Sequence, residues 1–116
     1  MHTLIVIDQP PYGSWGGRES LDMAFSLAAF DQPVSLLFID AGVLWLKQGQ
    51  EPDGIYQKSV ERNLAAASIF GVEALLAEAT ACHRFGLTDN NLINGVTRIE
   101  NTGTTLQQYQ HVVFSG

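Results

Sequence analysis

The apolar positions of this chain fall into short unbroken runs that alternate with stretches of helical spacing. Residues 4–7 form a first apolar run ending at Asp8, and residues 34–40 a second, within which 36–39 are apolar without alternation. An unalternating run is the mark of a strand buried on both faces of a parallel sheet. Between them, Leu21, Ala24, Phe25 and Ala28 recur at the i, i+3, i+4, i+7 spacing of one helical face, with Arg18, Glu19 and Asp22 on the other, and Pro33 separates this helix from the strand after it. Tyr56, Val60, Leu64 and Ala67 mark a second amphipathic helix closed by Gly71, in which Ala65, Ala66 and Ala67 are small enough for close approach to a sheet. A third strand over 72–77 leads into a short helix over 78–85 ended by Gly86, and strands at 97–100 and 111–114 flank a weak helix at 104–109. Strands alternating with helices imply right-handed crossovers and a mostly parallel sheet of about five strands with helices on both faces. The expected fold is therefore a three-layer, flavodoxin-like α/β sandwich occupying residues 1–116 as one domain.

One block breaks the pattern. Asp40 and Gly42 end the second strand, yet Val43, Leu44, Trp45 and Leu46 follow before Gln48-Gly49-Gln50 returns to turn chemistry. These four residues are either a short buried helix beneath the sheet or a surface that a partner covers. Charged residues make up 16% of the 116 positions, below the roughly 25% usual for soluble proteins, which favours a covering partner.

Twelve acidic and six basic residues give a net charge of −6, which repels a phosphate backbone and excludes a stripe of Lys and Arg for direct nucleic-acid binding. The amino terminus has neither a basic n-region nor an apolar segment long enough for a signal peptide or a membrane span. A single cysteine, Cys82, excludes an internal disulfide and a thiolate zinc cage within one chain, and agrees with a reducing cytoplasm.

Ligands of open α/β sheets gather at the carboxyl ends of strands, which brings forward Asp8, Asp40, Glu78 and Glu100. Such carboxylates suit a Mg²⁺ site for phosphoryl transfer, or they serve as caps for helix N–H groups; no catalytic Lys or Ser/Thr stands beside them, which favours capping. Gly13-Ser14-Trp15-Gly16-Gly17 lacks both the Walker lysine and a dinucleotide fingerprint, so a structural turn is the simpler reading. Cys82, one helical turn beyond Glu78, is expected to be buried and inert, its thiolate disfavoured by the carboxylate and by the lack of an adjoining Lys or Arg on that face. His83 and Arg84 suit a helix C-terminus. His2 and His111 stand apart from ligand-spaced partners and are expected to be structural or solvated, so no metal or cofactor is called for.

Residues 36–55, together with Pro11-Tyr12-Gly13 and Glu19-Ser20-Leu21-Asp22, resemble the DsrE/DsrF family of sulfur-relay proteins over nearly the whole chain, most closely its DsrF/TusC branch. The resemblance implies that Tyr12 and Gly13 border the place where sulfur is handled. In the sulfur-accepting members a cysteine eight residues before the glycine closing the short helix carries a persulfide, and eight residues before Gly86 stands Glu78. A carboxylate oxygen cannot hold a sulfane sulfur as a thiolate does. The resemblance thus implies a non-catalytic subunit of a heterohexamer of the TusBCD or DsrEFH kind, with TusD-like and TusB-like partners, a TusA-like donor and a TusE-like acceptor upstream of 2-thiouridine at the tRNA wobble position. Val43, Leu44, Trp45 and Leu46 become the expected interface, although Asp40-Ala41-Gly42-Val43-Leu44-Trp45-Leu46 departs from the frequent Asp-Asp-Gly-Val-Tyr-Gln-Leu. Alternatives are a DsrF-like role in sulfur oxidation, a sulfurtransferase using Cys82, and a small metal- or phosphate-binding enzyme using Asp8, Asp40 and Glu78.

Overall fold

A computed structural model describes residues 2–11, 16–48, 64 and 71–114. Strands β1 (Thr3–Ile7), β2 (Val34–Phe38), β3 (Ala74–Glu78), β4 (Val96–Ile99) and β5 (His111–Phe114) form one sheet in the order β4-β3-β2-β1-β5, with every pairing parallel. Helix α1 (Gly16–Ala29), a 3-10 helix (Asp40–Leu46), α2 (Ala79–Arg84) and α3 (Thr102–Gln107) connect them. The expected helix around residues 56–67 lies outside the described residues except for Leu64, which is helical and fully buried.

Strand order and handedness together dictate the layers. From β1 to β4 the chain steps one neighbour at a time in the same direction, so right-handed crossovers place α1, the 3-10 helix and α2 on one face. The step from β4 to β5 reverses direction and carries α3 to the other face. Packing agrees: Ile5, Leu36 and Leu75, side by side in the ladder, share a cluster with Leu21 and Ala24 of α1, Val43 and Trp45 of the 3-10 helix, and Ala81 and Cys82 of α2. The opposite row, Val6, Leu37 and Leu76, belongs to a smaller cluster that Leu106 and Tyr109 cover from α3 and its C-terminal turn. Helices on both faces are thus realised, but unequally.

Asp40, two residues past the end of β2, turns the chain out of the extended conformation with a φ of +48°. The 3-10 helix that follows is pressed onto the end of β1, and a Cβ on Gly42 would lie 2.0 Å from the Ile7 carbonyl oxygen, so only glycine fits. Trp45 donates its indole N–H to the Gln9 carbonyl at 2.9 Å, which satisfies the polar edge of a buried ring. Val43, Trp45 and Leu46 are 0%, 2% and 0% exposed, and Leu44 is half-buried. This corrects the interface expectation: three of the four residues face the core of their own chain, where burial of each stabilises by about 1.5–3 kcal/mol.

Several boundaries also differ from the sequence pattern: β2 ends at Phe38 rather than at residue 40, β3 begins at Ala74 rather than at 72, and β4 spans Val96–Ile99 rather than 97–100. β3 runs on to Glu78, leaving that residue as the N-cap of α2. α3 begins at Thr102, two residues before the expected start, because the Asn101 side chain accepts from the Thr104 N–H at 2.9 Å and caps it. Gly86 has a φ of +71°, the left-handed turn expected just past α2.

Candidate functional site

The carboxyl end of β3 carries the residue of greatest interest. Glu78 has an extended backbone, with φ −67° and ψ 117°, and makes no side-chain cap bond to α2. Its carboxylate reaches sideways instead: Oε1 accepts from the Asp40 N–H at 3.1 Å and Oε2 accepts from the Thr102 hydroxyl at 3.2 Å. The capping role expected of Glu78 is therefore replaced by a tie between the 3-10 helix, β3 and α3. Asp40, in turn, faces Arg84 across 3.4 Å, an exposed pair that adds little stability.

The other strand-end carboxylates do not converge on it. Asp8 is half-buried and one of its oxygens, Oδ1, is enclosed with no hydrogen-bond partner among the described residues, while Glu100 is exposed. Among the described residues no three His, Cys, Asp or Glu side chains come together in a way that could hold a metal ion. Tyr12 and Gly13 lie outside the described residues.

Cys82 is 1% exposed, and burial raises its thiol pKa; Arg98 opposes that rise, Glu78 adds to it, and a backbone hydrogen bond opposes it. Glu78 lies one helical turn from Cys82, as the local spacing implies, whereas Arg98 comes from β4 at the ladder position beside Ala77. Ala77 lies in the same cluster as Cys82, so alternation along the two strands was the signal for it. Thr102, the missed partner of Glu78, carries no signal beyond opening the helix after the neighbouring strand.

His2 is not solitary. Its Nε2 lies 3.0 Å from Glu73 and 3.4 Å from the Ser35 hydroxyl, and its ring meets Tyr109 edge-on at 4.6 Å. A Ser, a His and a Glu together invite a catalytic reading, but both partners meet the same ring nitrogen, so the imidazole cannot relay a proton between them. The cluster also sits at the amino ends of the strands, away from where ligands collect. It anchors the first residues to β2, to the start of β3 and, through the His111 N–H donated to the His2 carbonyl at 3.3 Å, to β5. His83 and Arg84 occupy the last turn of α2 as expected.

This is an all-parallel α/β domain with a hydrogen-bonded carboxylate, that of Glu78, at the carboxyl end of its third strand. Residues 1–114 match the model of the DsrE/DsrF-like family, and the chain belongs to that family. It is 36% identical to a TusC homolog of Pseudomonas aeruginosa over 95% of this chain and 94% of that one, and 31% identical to a TusC homolog of Haemophilus influenzae over 79% of each. The intracellular sulfur oxidation protein DsrF of Allochromatium vinosum is 32% identical over 72% of this chain and 61% of its own length. These relatives place the chain in the TusC/DsrF branch. Among solved structures, the ychN protein from E. coli superposes with a TM-score of 0.81 at 23% identity, covering 97% of both chains, a likeness of fold.

Proposed function

We propose that this chain is a non-catalytic subunit of a cytoplasmic sulfur-relay complex, holding TusD-like and TusB-like chains in an assembly that passes sulfur from a TusA-like donor to a TusE-like acceptor toward 2-thiouridine in tRNA. The observation that carries this reading is Glu78, bound by the Asp40 N–H and the Thr102 hydroxyl at the end of β3 in a chain so similar to TusC proteins. A hard carboxylate oxygen forms no persulfide, and the one thiol of the chain is buried and kept protonated. A net charge of −6 suits a protein that meets other proteins and leaves tRNA to an enzyme downstream.

Coexpression with TusD-like and TusB-like chains tests it. The three should copurify, and after exposure to a persulfide donor mass spectrometry should find the added sulfur atom on the partner and none on this chain. A chain that stays monomeric in their presence, or that takes up sulfur on Cys82, overturns the reading. Similarity to DsrF supports one alternative, the same scaffold role in sulfur oxidation, which the neighbouring reading frames decide.

A further inference from the structure

β4 is an edge of the sheet, and among the described residues no backbone group of Val96–Ile99 bonds outside its ladder with β3. Peptide groups alternate in direction along a strand, so two of these four residues point an N–H and a C=O outward, an open template for another strand. A wide, largely open groove of about 950 Å³ lies here, lined by Ala79, Thr80 and His83 of α2 and by Val96, Thr97 and Arg98 of β4. Arg98 is held back by a 2.7 Å bridge to Asp89, which neutralises it and draws it toward the loop. Glu100, at the far end of the groove, is exposed and its carboxylate has no hydrogen bond or ion pair among the described residues.

We infer that this groove binds an extended segment of another polypeptide, which adds a sixth strand beside β4 and places a Lys or Arg against Glu100. Charge selects that occupant over a second copy of this chain. Arg98, Asp89 and Glu100 leave each groove with an excess negative charge, and two chains of net charge −6 repel one another, whereas a basic strand is drawn to both. Backbone pairing supplies affinity with little regard to sequence, and side chains at alternate positions of the added strand face Ala79 and Val96 under α2. The other edge, β5, exposes Val113 and Phe114, but nothing there indicates what covers them.

The inference is independent of the sulfur-relay reading, since it is measured on this chain alone. The probes are a blocked heptapeptide Lys-Thr-Val-Thr-Val-Thr-Lys, whose Val and Lys side chains share one face in either strand direction, its counterpart with Glu for Lys, and two forms of the first N-methylated on alternating sets of peptide nitrogens. The Lys peptide should slow amide exchange at alternate residues of Val96–Ile99 and bind at least about tenfold more tightly than the Glu peptide at low salt. Glu100→Gln should shrink that preference to about threefold or less, and one N-methylated form should lose binding while the other keeps it. Unchanged exchange at β4, equal binding of both N-methylated forms and the parent, or protection that rises with protein concentration in the absence of peptide would each overturn the inference, the last by assigning the edge to a second copy.

Discussion

Glu78 shows how one side chain at a strand end can tie three elements together. Its two hydrogen bonds join residues 38 and 24 positions away in sequence, so they fasten elements that local propensity leaves independent. Glu78→Ala should cost about 1–2 kcal/mol, measured as a lower urea midpoint, because the Asp40 N–H and Thr102 hydroxyl lose a charged acceptor. Glu78→Gln keeps one acceptor oxygen and should fall between the two; equal stability of all three proteins would show that water replaces the tie. Cys82 gives a pH-dependent prediction. Burial raises its pKa in the folded state, so the native chain favours the protonated thiol: the stabilisation is complete below the ordinary thiol value of about 8.5 and is lost as pH climbs through the raised folded value. Cys82→Ala should be less stable near neutrality, from the volume removed, and should show a shallower loss of stability above about pH 9 than the parent. Alkylation of native Cys82 at neutral pH should run at the rate of unfolding or opening rather than that of a free thiol.

At the scale of elements, the alternation of strands and helices was legible because unbroken apolar runs of four or five residues differ from the i, i+3, i+4, i+7 spacing of a helical face. β1, β5, α1 and the short α2 all lie close to where the apolar spacing put them. The 3-10 helix was legible as an anomaly but not in meaning. An apolar tetrad containing Trp fits a core or an interface equally on composition, and what decides between them is the approach of Gly42 to the Ile7 carbonyl, a contact spanning 35 residues that no local pattern encodes. Gly42→Ala should therefore destabilise the chain by about 3 kcal/mol or more, seen as a fall in thermal midpoint, since its Cβ meets backbone that cannot move aside. Trp45→Phe keeps the ring but leaves the Gln9 carbonyl without the indole donor, and should cost about 1–2 kcal/mol. The strand-end site was half legible for a similar reason: Glu78 stood out in the sequence, while Thr102 and Arg98 reach it and Cys82 only through parallel pairing with β4.

For the whole molecule, the unequal covering of the sheet predicts unequal stability. Among the described residues, one face holds α1, the 3-10 helix, Leu64 and α2 over a continuous cluster, and the other has the six residues of α3 and the turn after it over Leu4, Val6, Leu37 and Leu76. α3 brings one half-buried leucine, Leu106, to that cluster and relies for the rest on the Asn101 cap, the Thr105 hydroxyl donated to the Asn101 carbonyl at 3.1 Å, and the Glu78 bond to Thr102. A helix of this length is not stable without such ties. Native-state hydrogen exchange should then find α3 opening at a lower free energy than β1, β2 and β3, as a separate cooperative unit. Glu78→Ala should lower the opening free energy of α3 by about 1 kcal/mol, the share of the Thr102 bond, and the global free energy by about 1–2 kcal/mol, because the Asp40 bond survives when α3 alone opens and is lost only on unfolding. If α3 and α1 instead open together at the global free energy in both proteins, the two faces form a single cooperative unit and the carboxylate at position 78 stabilises the fold as a whole.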